Sequence, residues 1–202
     1  MTFTLNLEKT PFHIFSKNLV RIKYIQHMQK DLAKSDAKRL DLKFQFLNQA
    51  YIFQLISFWQ VFIEELAKYS FRQIENLEHG GIFRDIAKLK LDQALKKFNT
   101  PSKENIDSLF NDTLGVIKVS SHWHSEKLTQ EVAVRTLGEL LRSRHEIAHT
   151  GRASSTLSYE ENFEKMEILM EIAELTEKVV IEELTSRSKY SLRSLGPTKP
   201  AI

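Results

Sequence analysis

Apolar residues return at intervals of three and four along most of the chain, the spacing that gathers them on one face of an α-helix. From about His13 to Lys34 the series is Phe15, Leu19, Ile22, Ile25, Met28 and Leu32. A longer, densely aromatic series runs from about Leu40 to Leu77 and includes Phe44, Phe46, Tyr51, Phe53, Phe58, Trp59 and Phe62. His79-Gly80-Gly81 reads as a break, and a third, basic helix is expected from about Phe83 to Phe98. Thr100-Pro101 reads as an N-cap with proline at the first helical position, opening a short helix to about Phe110. Residues 111–125, with Gly115 and His122-Trp123-His124, lack a helical period and are expected to form an irregular loop closing over the bundle. Thr129 can cap the next helix, which carries Val132, Val134, Leu137, Leu140, Leu141 and Ile147 before Thr150-Gly151 ends it. The final helix, about Tyr159 to Leu184, has an apolar stripe of Phe163, Met166, Leu169, Met170, Ala173, Val180 and Leu184. No strand pattern stands out. The expected fold is therefore all-α, an antiparallel bundle of about five to six helices.

Composition supports that reading. The chain has 202 residues, 42% of them hydrophobic, enough to bury one core and too few to require a second domain. Its prolines stand at 11, 101, 197 and 200, so long helices meet no internal break. A single domain over 1–185 is expected, followed by a basic, disordered tail over 186–202. Residues 44–63 hold no charge, which raises the question of a membrane span. Gln45, Asn48, Gln49, Gln54, Ser57 and Gln60 interrupt that stretch too often, so it reads as a central helix and no membrane contact is expected.

The formal charge of +3 is unevenly placed. Arg187, Lys189, Arg193 and Lys199 lie in the tail, leaving 25 basic and 26 acidic groups in the body, a net of −1. Any polyanion must be held by a local basic patch. The last helix is unsuited to that: nine glutamates face two lysines between Glu160 and Leu184. The chain has no cysteine, which excludes disulfides and thiolate metal sites and fits a cytoplasmic location. Its start lacks the pattern of a signal peptide.

Candidate chemistry concentrates in Arg144-His145-Glu146-Ile147-Ala148-His149-Thr150-Gly151-Arg152. His145-Glu146-x-x-His149 spells the H-E-x-x-H of zinc peptidases, in which two histidines one helical turn apart share a metal. Such a site needs a third protein ligand. No histidine follows His149 and no aspartate follows Asp112, so only glutamates such as Glu167, Glu171 or Glu174, or the loop pair His122 and His124, could complete it. The absence of a strand to hold an extended peptide also argues against a zinc peptidase. No metal or cofactor is expected.

The same residues support a second reading. Leu140-Leu141-x-x-Arg144-His145-x-Ile147-Ala148-His149-x-Gly151, placed before one last long helix, resembles the motif region of HEPN domains, specifically those called RiboL-PSP-HEPN or their close neighbours. The segment Ser57-Phe58-Trp59-Gln60-Val61-Phe62-Ile63-Glu64-Glu65-Leu66 resembles that family's second helix, and together the likeness covers roughly residues 13–185. One departure stands out. Relatives often carry an acid directly after the tryptophan, whereas this chain has Gln60, so the part of an acidic partner falls to Glu64 or Glu65 or is absent.

The resemblance implies a HEPN-like bundle that pairs as a homodimer and cuts RNA without metal, the 2′-OH attacking the neighbouring phosphate to leave a cyclic phosphate. His149 would exchange the proton, since an imidazole works near neutral pH. Arg144 would hold the phosphate oxygens, with His145, Arg142 and Glu64 assisting. Arg142 meets the allowed spacing to His149 as well and is the rival phosphate contact. The resemblance further implies a toxin or antiphage effector restrained by an antitoxin or other regulatory protein. Helix geometry adds a constraint: Arg144 and His149 point about 140° apart on an unbroken helix. Either the helix loosens before Thr150-Gly151, or two chains each contribute half of a site. A scaffold or RNA-binding module that keeps the fold without turnover is the alternative, and the zinc peptidase is a distant third.

Overall fold

Thr10 starts the first helix, α1 (Pro11–Ala33), by accepting a hydrogen bond from His13 N at 3.3 Å, while Pro11 takes the first helical position, where no N–H is needed. The computed structural model describes residues 9–75, 81–153 and 158–194. These form six α-helices and a short 3-10 turn, with no strand among the described residues. After α1 come α2 (Leu40–Glu75), α3 (Ile82–Lys97), α4 (Lys103–Leu114), the 3-10 turn Val119–His122, α5 (Gln130–Thr150) and α6 (Tyr159–Ser194). The expected all-α bundle is what the chain builds.

Helix α2 is the axis. Its 36 residues extend about 54 Å, and it packs against α1, α3, α4, α5 and α6. Leu55, Trp59, Ile63, Leu66 and Ala67 on it are completely buried. Facing them are Ile106 and Phe110 of α4, Leu137 and Leu140 of α5, and Leu169, Ile172, Ala173 and Val180 of α6. The aromatic content of α2 is nevertheless not all core. Phe46 and Phe53 are 69% and 38% exposed, and so are the expected stripe members Met28 at 48% and Met170 at 38%.

Other local expectations shift for identifiable reasons. The cap of α4 is Ser102, whose hydroxyl accepts from Asn105 N at 3.3 Å, and not Thr100. Pro101 consequently stays outside the helix, buried, with its carbonyl free to accept the indole N–H of Trp59 at 3.1 Å. That helix continues past Phe110 to Leu114 and ends on Gly115, in the left-handed conformation with φ of 69°. The segment beyond is less of a loop than expected. Trp123 is fully buried: its Nε1 donates to Thr176 Oγ1 at 2.9 Å and its ring meets Trp59 edge-on at 6.4 Å, while His122 and His124 stay exposed. The last helix does not stop near Leu184 but runs on to Ser194. The break at His79-Gly80 and the tail beyond 194 lie outside the described residues.

A buried polar cluster ties α1, α2 and α6 together. Asn48 Oδ1 accepts from Gln29 Nε2 at 2.8 Å and from Asn162 Nδ2 at 3.1 Å. One turn further along α2, Tyr51 is buried, and among the described residues its hydroxyl has no hydrogen-bond partner. Burial, reinforced by Tyr159 and Glu167, pushes its phenol above the ordinary tyrosine range. The folded protein thus favours the neutral phenol, whereas the unfolded chain's tyrosine ionises near pH 10. This contribution to stability is complete below about pH 10 and is lost as the pH rises through the folded value. Urea midpoints measured from pH 8 to 11 should therefore fall at the alkaline end, and Tyr51→Phe should flatten that fall while leaving stability at neutral pH almost unchanged.

Candidate active site on helix five

Helix α5 begins at Thr129, whose side chain accepts from Val132 N at 3.3 Å. Ala133, Thr136, Leu137 and Leu140 face the core, which fixes the rotation of the helix and hence the direction of every residue in its last two turns. Arg142, His145 and His149 are exposed and Arg144 is half-buried. The helix stays regular through Thr150 and closes on Gly151, in the left-handed region with φ of 73°. Thr150 Oγ1 donates to the Glu146 carbonyl at 2.8 Å within that last turn. The helix therefore does not loosen between Arg144 and His149. On this continuous helix the two residues lie about 140° apart around the axis.

Arg144 and His145 line a small open cleft. Its apolar wall is Ile56 and Leu141, and its rim is the connection Asn99-Thr100-Pro101 between α3 and α4. The Trp59 indole holds that rim at Pro101, and Gln60 Nε2 holds it again at the Phe98 carbonyl, 3.3 Å away. Gln60 itself lines the cleft. Arg144 also lies over the ring of Phe53, its Cζ 5.3 Å from the centroid. Among the described residues no carboxylate pairs with Arg142 or Arg144; Glu139, one possible partner, is bound to Lys165 at 3.1 Å. A cation stacked on an aromatic ring at the mouth of a cleft, without an acid to neutralise it, is suited to an anionic ligand.

The two histidines of the motif stand together: their rings are 4.3 Å apart and inclined at 51°. Among the described residues no third His, Asp or Glu joins them in a group that could hold a metal ion. The peptidase reading lacks its ligand set there. His149 and Arg142 do not line the cleft, and His149 is linked to it through His145. Glu64 lies one turn beyond Gln60 and accepts that residue's amide at 3.0 Å, so it touches the cleft wall from behind.

Sequence reasoning missed the rim residues and Phe53. Nothing in a one-dimensional pattern marks residues 99–101 as neighbours of residue 144. Phe53 did carry a signal: Leu42, Phe46 and Phe53 recur at helical spacing on the face of α2 opposite its buried residues. Among the described residues no helix is long and apolar enough to cross a membrane.

Residues 16–182 match the family model described as RiboL-PSP-HEPN. Comparison with curated proteins and with solved structures returns no match.

Gly151 holds the last turn in register, and among the described residues, its chain neighbours apart, nothing lies within 4 Å of where a Cβ would stand. A side chain there meets backbone strain alone. Gly151→Ala should lower stability by about 1 kcal/mol in denaturant titrations and fray the turn carrying His149, read as faster amide exchange at residues 148–150.

Proposed function

The chain belongs to the RiboL-PSP-HEPN family, and on that premise we propose that it is an endoribonuclease acting without metal at a site shared by two copies. The observation that carries this reading is Arg144, stacked on Phe53 at the cleft mouth without an acidic partner among the described residues, on the same helix as the exposed pair His145 and His149. In the proposed reaction the 2′-oxygen of a ribose forms a bond to the adjacent phosphorus and the bond from phosphorus to the 5′-oxygen breaks. The 2′-OH gives its proton to the His149 imidazole, and the departing 5′-oxygen takes up a proton from a second group or from water. Arg144 offsets the charge that grows on the phosphate oxygens, Arg142 and His145 hold the flanking backbone, and Glu64 positions Gln60. RNA is required because DNA lacks the attacking hydroxyl.

The unbroken helix favours a shared site. The open face of α2, with Leu42 49% and Phe46 69% exposed, is continuous with Phe53 beneath Arg144. Most of that face lies in the uncharged stretch 44–63, so two copies can meet there without burying unpaired charge. A second chain seated on it comes within reach of Arg144. The role of a toxin or defence effector held in check by a partner protein is part of the same proposal.

A second reading has one observation behind it. The position after Trp59 is Gln60, its amide is engaged with Glu64 and Phe98, and no carboxylate lines the cleft among the described residues. A binding module without turnover would tolerate that arrangement.

Incubation of the purified protein with single-stranded RNA and excess chelator should give fragments ending in 2′,3′-cyclic phosphate. Arg144→Ala and His149→Ala should each slow cleavage by about a hundredfold or more. Mixing the two inactive variants should restore about a quarter of the wild-type rate, because half of the dimers then hold one intact composite site of two. Binding of RNA with no cleavage by the intact protein would establish the module reading. Loss of activity on adding chelator would overturn the metal-free mechanism.

A further inference from the structure

The face of α2 is not the only apolar surface the bundle leaves open. On α3, Ile82, Phe83, Ile86 and Leu89 are 70%, 82%, 56% and 58% exposed. Packing does not require them, because α3 already faces the bundle with buried Leu91 and half-buried Ala87, Ala94 and Leu95. Ile82, Ile86 and Leu89 recur at intervals of four and three, and Ile82 points about 180° away from Leu91. The stripe is therefore a second seam on the solvent side of the helix.

Its flanks carry an excess of cations. Lys88, Lys90, Lys96 and Lys97 are exposed, and among the described residues none of them pairs with a carboxylate. The two acids of the helix are Asp85, engaged by Arg84 at 3.4 Å, and the exposed Asp92. Helix α1 also exposes apolar residues, Ile14, Val20, Tyr24 and Met28, among cations, so the seam of α3 is distinguished by its regular aliphatic repeat together with its lysines and not by charge alone.

We propose that the outward face of α3 is the docking seat of an acidic amphipathic helix from a partner protein, its aliphatic residues laid along the stripe and its carboxylates against the flanking lysines. Three of the four seam residues are aliphatic and offer bases nothing to stack on, which argues against single-stranded RNA as the occupant. A second copy fits poorly as well: α3 against α3 opposes lysine with lysine, and the acidic α6 exposes only Met170 among its described large apolar residues. Helix α3 leads at its C-terminal end into Asn99-Thr100-Pro101, about 15 Å along the chain axis from Leu89, so only an occupant laid along the whole helix reaches the cleft rim. That it would restrict access of RNA rests on the ribonuclease reading; the seat itself does not.

The probe is a fluorescein-labelled 18-residue peptide with leucines at three-and-four spacing and glutamates on both flanks, compared by anisotropy with a scrambled peptide of the same composition. The full-length protein should bind the ordered peptide saturably and the scrambled one at least about tenfold more weakly. Ile86→Glu with Leu89→Glu should weaken binding about tenfold or more, and Lys90→Glu with Lys97→Glu about threefold or more with a shallower salt dependence. All four positions are exposed, and circular dichroism checks that the variants remain folded. Equal binding of both peptides, or binding unchanged in the Ile86/Leu89 variant, overturns the proposal. So does a dimer that this variant turns into a monomer by light scattering, which would assign the face to a second copy. Failure of the peptide to bind, with loss of single-stranded RNA binding in the Lys90/Lys97 variant, overturns it in favour of a nucleic-acid track. Peptide binding is read without RNA, so an inactive protein would sink the ribonuclease reading and leave this one standing.

Discussion

The hydrogen bond from the Trp59 indole to the Pro101 carbonyl sets the position of everything around the cleft. It crosses from the middle of the central helix to the connection before α4, in a fully buried setting where an unpaired carbonyl would cost about 1–3 kcal/mol. Proline makes the contact available: it cannot continue a helical hydrogen-bond ladder as a donor, and its carbonyl is left free because the α4 cap falls one residue later, at Ser102. With the rim fixed there, Gln60 on the next position of α2 reaches the Phe98 carbonyl, and the cleft acquires a wall. Trp123 then closes over Trp59 and is itself held by Thr176, so α2, α6 and the segment before α5 share one aromatic centre.

Around that centre, charge is sorted by helix. Cations are in excess on α1 and α3, carboxylates on α6, and the middle of α2 has neither. Sorting of this kind leaves the net field weak and makes each surface distinct in what it can accept. An uncharged apolar face can meet its own copy without burying charge, a lysine-flanked one is complementary to acidic groups, and an arginine stacked on phenylalanine offers its guanidinium edge to an anion. The motif helix α5 unites these elements because its core-facing residues fix its rotation, and no irregularity in its last turns relaxes the outward residues. A regular helix keeps Arg144 and His149 apart as surely as it keeps His145 and His149 together.

Two helix boundaries were legible in full. Thr129 and Gly151 act through their own backbone and side-chain geometry, which is local and therefore written in the sequence, whereas Gly115, placed in a loop, in fact ends α4. Ser102 was misread as Thr100 because Thr-Pro is an equally good local signal, and the choice between them was made by Trp59, more than forty residues away. The complete burial of Trp123, which does lie in a non-helical segment, was not legible for a similar reason. Its neighbours are two exposed histidines, and only the approach of α6 with Thr176 provides the partner that lets an indole be buried.

From its own order of residues the chain determines an all-α bundle, a helix ending at Gly151, and the motif residues Arg144, His145 and His149 on that helix. Those properties follow from periodicity and capping, forces that act within a few residues. Which faces stay open, which carbonyl receives the indole of Trp59, and that Phe53 lies under Arg144 while Gln60 turns toward Glu64, were decided only when the helices packed. Helical period gives the angle of a side chain about its own axis. What stands opposite that angle depends on how neighbouring helices share a limited apolar interior, and this is a property of the whole assembly.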